Sequence, residues 1–348
     1  MKKTVLILGG EGTLAQQVVR GVSLSEEAGT SWRLGDDVLG GNPSQAGFGL
    51  APSILRRLQD EVEVIVHVVG DAPVFHSLTH HRLTNVVATH HAVTFARGCH
   101  RLKRFLHISS THAVGETMGV VKEEISTNLP PFTNAQEQTK WEAEQLVLGS
   151  WLPAEVLRVA PLLGGELVTR TTNPWLRWLG WLWEGYLPVV PAASGTRFDF
   201  VSPEAVGLTV ARLLQQAPEI DRLVHLSQGD GAPSMEEFFA CLHEAFCEHS
   251  EDWRSGKRQL PGLVDGEGFA RFQQSVMRSQ HPLYGRVVDQ ASYFLPSLLY
   301  PKVFATQRLQ ALGDAPFIVD WRALIHRVVV ALARHQEESG SHFLSAAR

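Results

Sequence analysis

The sequence has few of the residues that mark disulfide-stabilised or metal-binding proteins. Only three of its 348 residues are cysteines, Cys99, Cys241 and Cys247, and their spacing fits no metal-binding or redox motif. An odd, small number of cysteines is typical of a reducing compartment. The sequence therefore predicts a cytoplasmic protein.

Clustered positive charge and long apolar runs are also missing. The net charge is -5 without a basic block, which argues against a nucleic-acid partner because phosphate binding needs clustered lysines and arginines. No stretch approaches the roughly 20 apolar residues that cross a bilayer, and Arg177 and Glu184 interrupt the nearest candidate, 173–191. We expect no transmembrane segment. We interpret this Trp-rich stretch as a lid or core segment in preference to a surface for a membrane or a lipid-like ligand.

What is present is an ordinary apolar content of 44% and an alternation of strand and helix patterns. Such alternation predicts an α/β fold, a doubly wound parallel sheet with helices on both faces. The predicted strands are Thr4–Leu8, Ser31–Leu34, Val62–Val69, Arg104–Ser109, Glu155–Val159, Phe198–Val201 and Leu223–Leu226. The predicted helices begin at Thr13, Pro52, His76, Pro203, Ser234 and Trp321, and a further helix carries Lys140.

A glycine-rich turn, Gly9-Gly10-Glu11-Gly12, joins the first strand to the first helix. Small residues at this place let the backbone approach a pyrophosphate, and the helix N-terminus attracts its charge. A tight strand-to-helix turn without a ligand is the alternative. We predict a dinucleotide-binding type of domain in residues 1–165, with strands of its sheet continuing to about 230, and a smaller, mostly helical substrate lobe in 166–348.

Several motifs together resemble the extended or atypical short-chain dehydrogenase/reductase family, especially its thioester-reductase and fatty-acyl-reductase branch. The glycine turn is similar to that family's TGxxGxxG fingerprint. The other matching segments are Ile65–His67, Asn85–Thr89, Phe105–Gly115, Asn134–Glu144, Leu157–Pro161, Gly185–Pro191 and Phe198–Val206. The resemblance implies a Rossmann-like NAD(P)-binding fold over about residues 4–230.

The catalytic centre departs from the family at one position. The resemblance implies that Ser110 bonds the substrate oxygen, supplemented by Thr111, and that Lys140 holds the cofactor ribose and activates a tyrosine. Gln136 occupies the place of that tyrosine, one helical turn before Lys140, and a carboxamide neither gives nor takes a proton near neutral pH. His112 is the nearest alternative proton donor in sequence.

The resemblance implies NAD or NADP as cofactor. The implied cofactor-binding residues are Gly9, Gly12, Thr13, Leu14, Ala15, Asp36 and Lys140. Two alignments remain open for Asp36. If Ser31–Leu34 is the second strand, Asp36 lies about 20 residues beyond the glycine turn, where a carboxylate binds an NAD ribose. If Gly35-Asp36 instead follows the family's third strand, a strand–helix unit has been lost and the adenosine pocket is incomplete. We favour this second alignment, because Gly47–Leu50 before the next helix also fits it.

Two classes of function follow. The first is an NAD(P)-dependent oxidoreductase acting on a carbonyl or acyl thioester, with impaired or altered redox chemistry. The second is a non-redox protein that reuses the fold, as a ligand-binding pseudo-enzyme, a cyclase or isomerase, or a scaffold subunit. A small acyl or lipid-like ligand and a homodimer are implied by resemblance. No metal site is expected, since His76 and His80 have zinc-like spacing but no third ligand in sequence.

Overall fold

A computed structural model describes residues 3–9, 12–27, 32–34, 41–68, 70, 74–167, 173–220, 222–313 and 320–339. The strands within these residues are β1 (Lys3–Leu8), β2 (Trp32–Leu34), β3 (Val62–His67), β4 (Arg104–Ser110), β5 (Gly119–Val121), β6 (Ala154–Val159), β7 (Val189–Pro191), β8 (Arg222–Leu226), β9 (Gly262–Val264) and β10 (Lys302–Phe304).

The α-helices of the described part alternate with these strands. They are α1 (Thr13–Glu27), α2 (Pro52–Glu61), α3 (Leu78–His81), α4 (Ala88–Arg97), α5 (Ala135–Leu148), α6 (Pro174–Trp183), α7 (Pro203–Gln215), α8 (Met235–His249), α9 (Glu251–Arg254), α10 (Gly266–Ser279), α11 (Pro282–Ala291), α12 (Gln307–Gln310) and α13 (Trp321–Ser339). A π-helical segment, Arg82–Val87, joins α3 to α4, so the predicted helix from His76 to about Gly98 is one helical stretch with an irregular centre.

Six parallel strands form the main sheet in the order β2-β1-β3-β4-β6-β8. This order confirms the predicted doubly wound α/β fold. From β1 the chain first moves to one side, to β2, and then returns to the other side with β3. In open parallel sheets the crevice at such a switch point, beyond the carboxyl ends of the strands, is the usual ligand site.

The pairing of β2 bears on the two alignments left open for Asp36. Trp32–Leu34 pairs directly with β1 and, in the part of the chain that the structure describes, forms the edge of the sheet. This is the place of a second strand, which favours the first alignment and corrects the preference for the second. Asp36 itself lies outside the described residues.

Apolar side chains cover both faces of the sheet. Val64, Val66 and Leu106 pack with α1 and α7 on one face, whereas Ile65 and Phe105 pack with α2, α4 and α5 on the other. Alternate residues of each strand point to opposite faces, so continuous apolar runs are what a strand buried on both sides requires.

The Trp-rich segment is part of the core of the C-terminal half. Helix α6 buries Trp175, Trp178, Trp181 and Trp183 among side chains of α8, α11 and α13. The interpretation as a core segment is therefore confirmed. Among the described residues, no helix combines the length and the apolar character that a membrane span requires.

One predicted strand is wrong. Phe198–Val201 forms no strand, and its only β contact is an isolated bridge between Val201 and Leu162. Its apolar side chains are buried by ring packing instead, since Phe198 lies 5.2 Å from Trp178 and 4.7 Å from Phe238 between ring centroids. An apolar run shows burial, but it cannot tell a buried loop from a strand.

A two-stranded sheet brings the distant C-terminal region to the main sheet. Strands β10 and β5 pair in parallel, with Lys302 opposite Gly119. β5 follows the end of β4 closely in sequence, so residues near 300 come to lie beside the loop that begins at Ser110.

Candidate active site

The glycine turn lies at the switch point between β1 and β3. A Cβ atom on Gly9 would stand 2.9 Å from the Cβ of Val68, so glycine is needed for β1 and β3 to approach each other there. Among the described residues, a Cβ on Gly12 would meet only the Gly9 carbonyl oxygen, at 3.9 Å. The N-terminus of α1, which follows directly, is the part of the turn that suits an anion.

The remaining predicted cofactor residues begin α1. Thr13 is its first residue, Leu14 is half-buried, and Ala15 is buried in the core. The carbonyl of Gly12 accepts a hydrogen bond from the Gln16 N–H at 3.0 Å, so the helix is fully formed from this point. Ala15 therefore serves the packing of α1 on the sheet.

Lys140 reaches the same crevice from α5. A Cβ on Gly70, just beyond β3, would lie 2.2 Å from the Lys140 Nζ and 3.3 Å from the Asn85 Oδ1. The ammonium group therefore stands directly over the backbone that follows β3, on the side of the switch point opposite the glycine turn.

Local hydrogen bonds hold α5 in this orientation. Asn134 caps the helix by accepting a hydrogen bond from the Glu137 N–H at 2.9 Å. The Asn85 Nδ2, on the π-helical segment, donates to the Thr139 Oγ1 at 2.9 Å. π-Helical segments are frequent at functional sites, and this one ties α5 to the neighbouring helix beside Lys140. Asn85 belongs to a sequence motif, but its role in positioning α5 was not predicted.

Ser110 ends β4, and Thr111 and His112 begin the short 3-10 helix that follows it. The Ser110 Oγ accepts a hydrogen bond from the His112 N–H at 3.2 Å and lies 3.3 Å from the His112 Nδ1. The His112 ring stacks on Trp175 with 5.7 Å between centroids. Burial, together with the nearby Lys302 ammonium, lowers the pKa of His112 to about 4. The imidazole is therefore neutral at pH 7.

Two further histidines lie beneath Lys140. His67 and His107, on adjacent strands, approach each other with 2.8 Å between their Nδ1 atoms, and both are fully buried. Burial is the main cause that lowers the pKa of His67 to about 3 and that of His107 well below its usual range, and the Lys140 charge adds to both. The sheet below the lysine is thus uncharged.

A small cleft of about 60 Å³ opens between the end of β4 and the C-terminal half. Thr111 and His112 line it on one side, whereas Tyr300 and Lys302 line it on the other. Asp199 also faces it. Burial raises the pKa of Asp199 to about 6, although hydrogen bonds from Ser227 and the Gln228 N–H oppose this shift. Sequence reasoning did not predict this side of the cleft.

The predicted site residues therefore fall into two neighbouring groups. Gly12 and Lys140 border the crevice between β1 and β3, whereas Thr111 and His112 line the cleft and Ser110 contacts His112. Gln136 lies in the first turn of α5, one turn before Lys140. No group of three or more His, Cys, Asp or Glu that could hold a metal ion occurs among the described residues.

Comparisons with known proteins identify the family and the fold. The NAD-binding family described as male sterility protein matches residues 31–204, half of the chain. Glycine betaine reductase from Emericella nidulans is 27% identical over 208 residues, which are 56% of this chain and 16% of that protein. The chain thus spans less than a fifth of this curated relative.

Solved structures share the fold at low sequence identity. The terminal R domain from the myxalamid PKS-NRPS biosynthetic pathway matches with a TM-score of 0.72 and 18% identity, covering 96% of this chain and 91% of that one. UDP-glucuronic acid 4-epimerase from Bacillus cereus, in complex with NAD, matches with a TM-score of 0.62 and 13% identity, covering 95% and 99%. The matches confirm the predicted resemblance to short-chain dehydrogenases/reductases of the thioester-reductase type.

Proposed function

Because the chain belongs to the male sterility protein family of NAD-binding domains, we propose that it binds NAD or NADP in the crevice between β1 and β3 and acts on a small acyl ligand. The carbonyl chemistry is altered, since Gln136 stands where these reductases carry a tyrosine. The observation that carries the proposal is the position of the Lys140 Nζ over Gly70 at the switch point.

The residues of the crevice fit a dinucleotide. Gly12 leaves the N-terminus of α1 open to a pyrophosphate, and the partial positive charge of a helix N-terminus favours that anion. Lys140 adds a full positive charge on the opposite side, where it can donate hydrogen bonds to ribose hydroxyls. Together these groups bind and orient the dinucleotide at the carboxyl end of the sheet.

The bound cofactor would supply a hydride, and a group of the protein would have to donate one proton to the carbonyl oxygen. Ser110 at the end of β4 is placed to bond the oxygen of a carbonyl ligand. Gln136 cannot deliver the proton that this oxygen needs, and losing a positioned acid typically costs about 10²–10⁴-fold in rate. His112 does not replace it at pH 7, because its lowered pKa of about 4 leaves the ring without a proton to spare.

The ligand, the assembly and the compartment belong to the same proposal. A small acyl ligand is supported by the relatives, among them a glycine betaine reductase. We propose that the protein is cytoplasmic and forms a homodimer. Light scattering coupled to size-exclusion chromatography measures the molecular mass and thus tests the dimer. A monomeric mass would refute the proposed dimer but would not bear on the proposed cofactor site.

Fluorescence titration with NADH and NADPH tests the proposal. We expect saturable binding of at least one nucleotide and at least tenfold weaker binding in Lys140→Met, because a charged hydrogen-bond donor contributes about 1.5–3 kcal/mol. Lys257→Met, which removes an exposed lysine paired with Asp252, is the matched control. Binding of neither nucleotide to the wild-type protein would refute the proposal.

A Gln136→Tyr variant tests the altered chemistry separately. We expect faster reduction of octanoyl-coenzyme A by the nucleotide that binds, because the phenol would stand one helical turn from Lys140. A variant that binds the nucleotide but reduces no faster would show that the missing tyrosine is not what limits this site.

A further inference from the structure

One tyrosine of the C-terminal half enters the cleft at the end of β4. Tyr300 lines the cleft together with Thr111 and His112. The other tyrosines lie elsewhere: Tyr186 and Tyr284 contact each other with 6.2 Å between ring centroids, and Tyr293 is exposed. Tyr300 is therefore the phenol that the fold brings to the Ser110–His112 loop, about 190 residues away in sequence.

Backbone and side-chain contacts clamp this segment against that loop. The Gly119 N–H donates to the Pro301 carbonyl at 2.9 Å, and β10 continues as the partner of β5. The Lys302 Nζ donates a hydrogen bond to the Gly115 carbonyl. The residues directly after Tyr300 thus contact residues that closely follow His112 in sequence, which holds the segment of the phenol beside that loop.

We propose that Tyr300 donates the proton that Gln136 cannot supply to the carbonyl oxygen of the substrate. The assignment rests on the proposed function, since it concerns the same acyl ligand above Ser110. Tyr300 has the chemistry of the missing tyrosine, but it belongs to the C-terminal half of the chain and lines the cleft with Thr111 and His112.

The reaction balances with Tyr300 as the acid. Hydride addition to the carbonyl carbon of a thioester moves the π electron pair onto oxygen, and the Tyr300 hydroxyl protonates this oxygen to give a hemithioacetal. Collapse of the hemithioacetal releases a thiol and an aldehyde, while the cofactor has been oxidised. The phenolate then regains a proton from water. Glu116, half-buried and hydrogen-bonded to the phenol, lies on a path for that proton.

Burial and nearby carboxylates keep the Tyr300 hydroxyl protonated. Burial is the largest cause that raises its pKa, and the hydrogen bond to Glu116 and the charge of Glu137 act in the same direction. Lys302 and the neutral His112 share the cleft. A phenol is protonated throughout the neutral range, and an alkoxide is basic enough to take its proton. Reduction through Tyr300 is therefore insensitive to phenol ionisation between pH 7 and 9.

Conservative substitutions test the assignment. In Tyr300→Phe we expect aldehyde formation from octanoyl-coenzyme A to fall about 10²–10⁴-fold, with nucleotide affinity unchanged. Tyr293→Phe, which removes an exposed phenol, should keep the wild-type rate. Gln136→Tyr placed in the Tyr300→Phe background should restore reduction, with a pH profile that now falls at lower pH because the new phenol lies near Lys140.

A measurement without cofactor separates a role in the cleft from a loss of folding. Octanoyl-coenzyme A added to the protein alone should perturb tyrosine absorbance near 295 nm, and Tyr300→Phe should abolish this signal while Tyr293→Phe keeps it. A Tyr300→Phe rate within twofold of wild type would overturn the assignment. The assignment of Tyr300 would also be overturned if the wild-type protein bound NADPH but formed no aldehyde. Failure of nucleotide binding would instead refute the proposed function itself.

Discussion

The Lys140 Nζ occupies the space that a side chain on Gly70 would need. The Cβ of an alanine at position 70 would lie 2.2 Å from this nitrogen, closer than any non-bonded contact permits. An alanine at position 70 would therefore require the end of the lysine side chain to move, and the absence of a side chain after β3 is what lets the ammonium group stand where it does.

Replacing Gly70 by alanine should displace the lysine and weaken nucleotide binding about tenfold, the loss expected when one charged hydrogen bond of about 1.5 kcal/mol is removed. Fluorescence titration measures the change. Gly285→Ala is the control, because a Cβ there would meet nothing within 4 Å. Equal affinities of the two variants would show that Lys140 does not depend on Gly70.

Helix α5 carries two arginine–glutamate pairs that differ in burial. Arg158 binds Glu144 with its Nε at 2.9 Å and its Nη2 at 2.7 Å, with both side chains almost fully buried. Arg82 binds Glu142 through the same two nitrogens, at 3.0 and 2.7 Å, but its side chain is 49% exposed.

We expect Arg158→Met to lower the free energy of unfolding by about 3–5 kcal/mol, because it leaves a buried carboxylate uncompensated. Arg82→Met should cost less than about 1 kcal/mol, since water screens the exposed pair. Urea denaturation of the two variants measures both values. Similar losses in both would contradict the assigned role of burial.

Buried neutral histidines predict acid sensitivity. Burial is the main cause that lowers the pKa of His225 to about 3, with the Arg158 charge adding to it, and His67 behaves alike. Each takes up a proton near pH 6.5 when unfolded but only near pH 3 when folded. Stability is therefore present above pH 6.5 and is lost as the pH falls, by up to about 1.4 kcal/mol per pH unit for each histidine.

His225→Asn should make the pH dependence of unfolding shallower by about one proton between pH 6 and 4. His100→Asn changes an exposed histidine whose side chain is 76% accessible, and it should leave the slope as in wild type. Denaturant titrations at several pH values give the slopes. An unchanged slope in His225→Asn would mean that this ring is not held neutral.

The crossing of α1 and α7 depends on two glycines. A Cβ on Gly21 would stand 2.1 Å from the Gly207 carbonyl oxygen, so Gly21→Ala must push the helices apart. We expect a loss of about 1–3 kcal/mol, as for overpacking in a core, whereas Gly285→Ala in α11 should stabilise by up to about 1 kcal/mol. Thermal denaturation compares them, and a Gly21→Ala protein as stable as wild type would argue against this close approach.

Local patterns were sufficient to predict most of the main sheet. β3 and β6 are buried along their whole length, and runs rich in β-branched residues are typical of such strands. The strand predicted at Phe198–Val201 was wrong, because the same kind of apolar run can be buried by ring packing without a strand partner. The strand that ends near Ser110, the loop after it and the helix that carries Lys140 were also predicted, because family motifs mark these segments.

The side of the cleft formed by Tyr300 and Lys302 could not be predicted from the sequence. Tyr300 lies just before the three-residue strand β10, and the partner strand β5 is equally short. So few residues carry no periodicity, and the pairing joins segments that are distant in sequence. The absence of a tyrosine at position 136 was visible in the sequence, but the position of Tyr300 beside Thr111 and His112 was visible only in the fold.

A crystal structure of the wild-type protein with NADPH tests the central claim most directly. We expect the pyrophosphate at the N-terminus of α1 beside Gly12, the ribose next to the nicotinamide against Lys140, and the nicotinamide facing Ser110. A dinucleotide bound elsewhere, or a crevice that stays empty at saturating NADPH, would contradict the account.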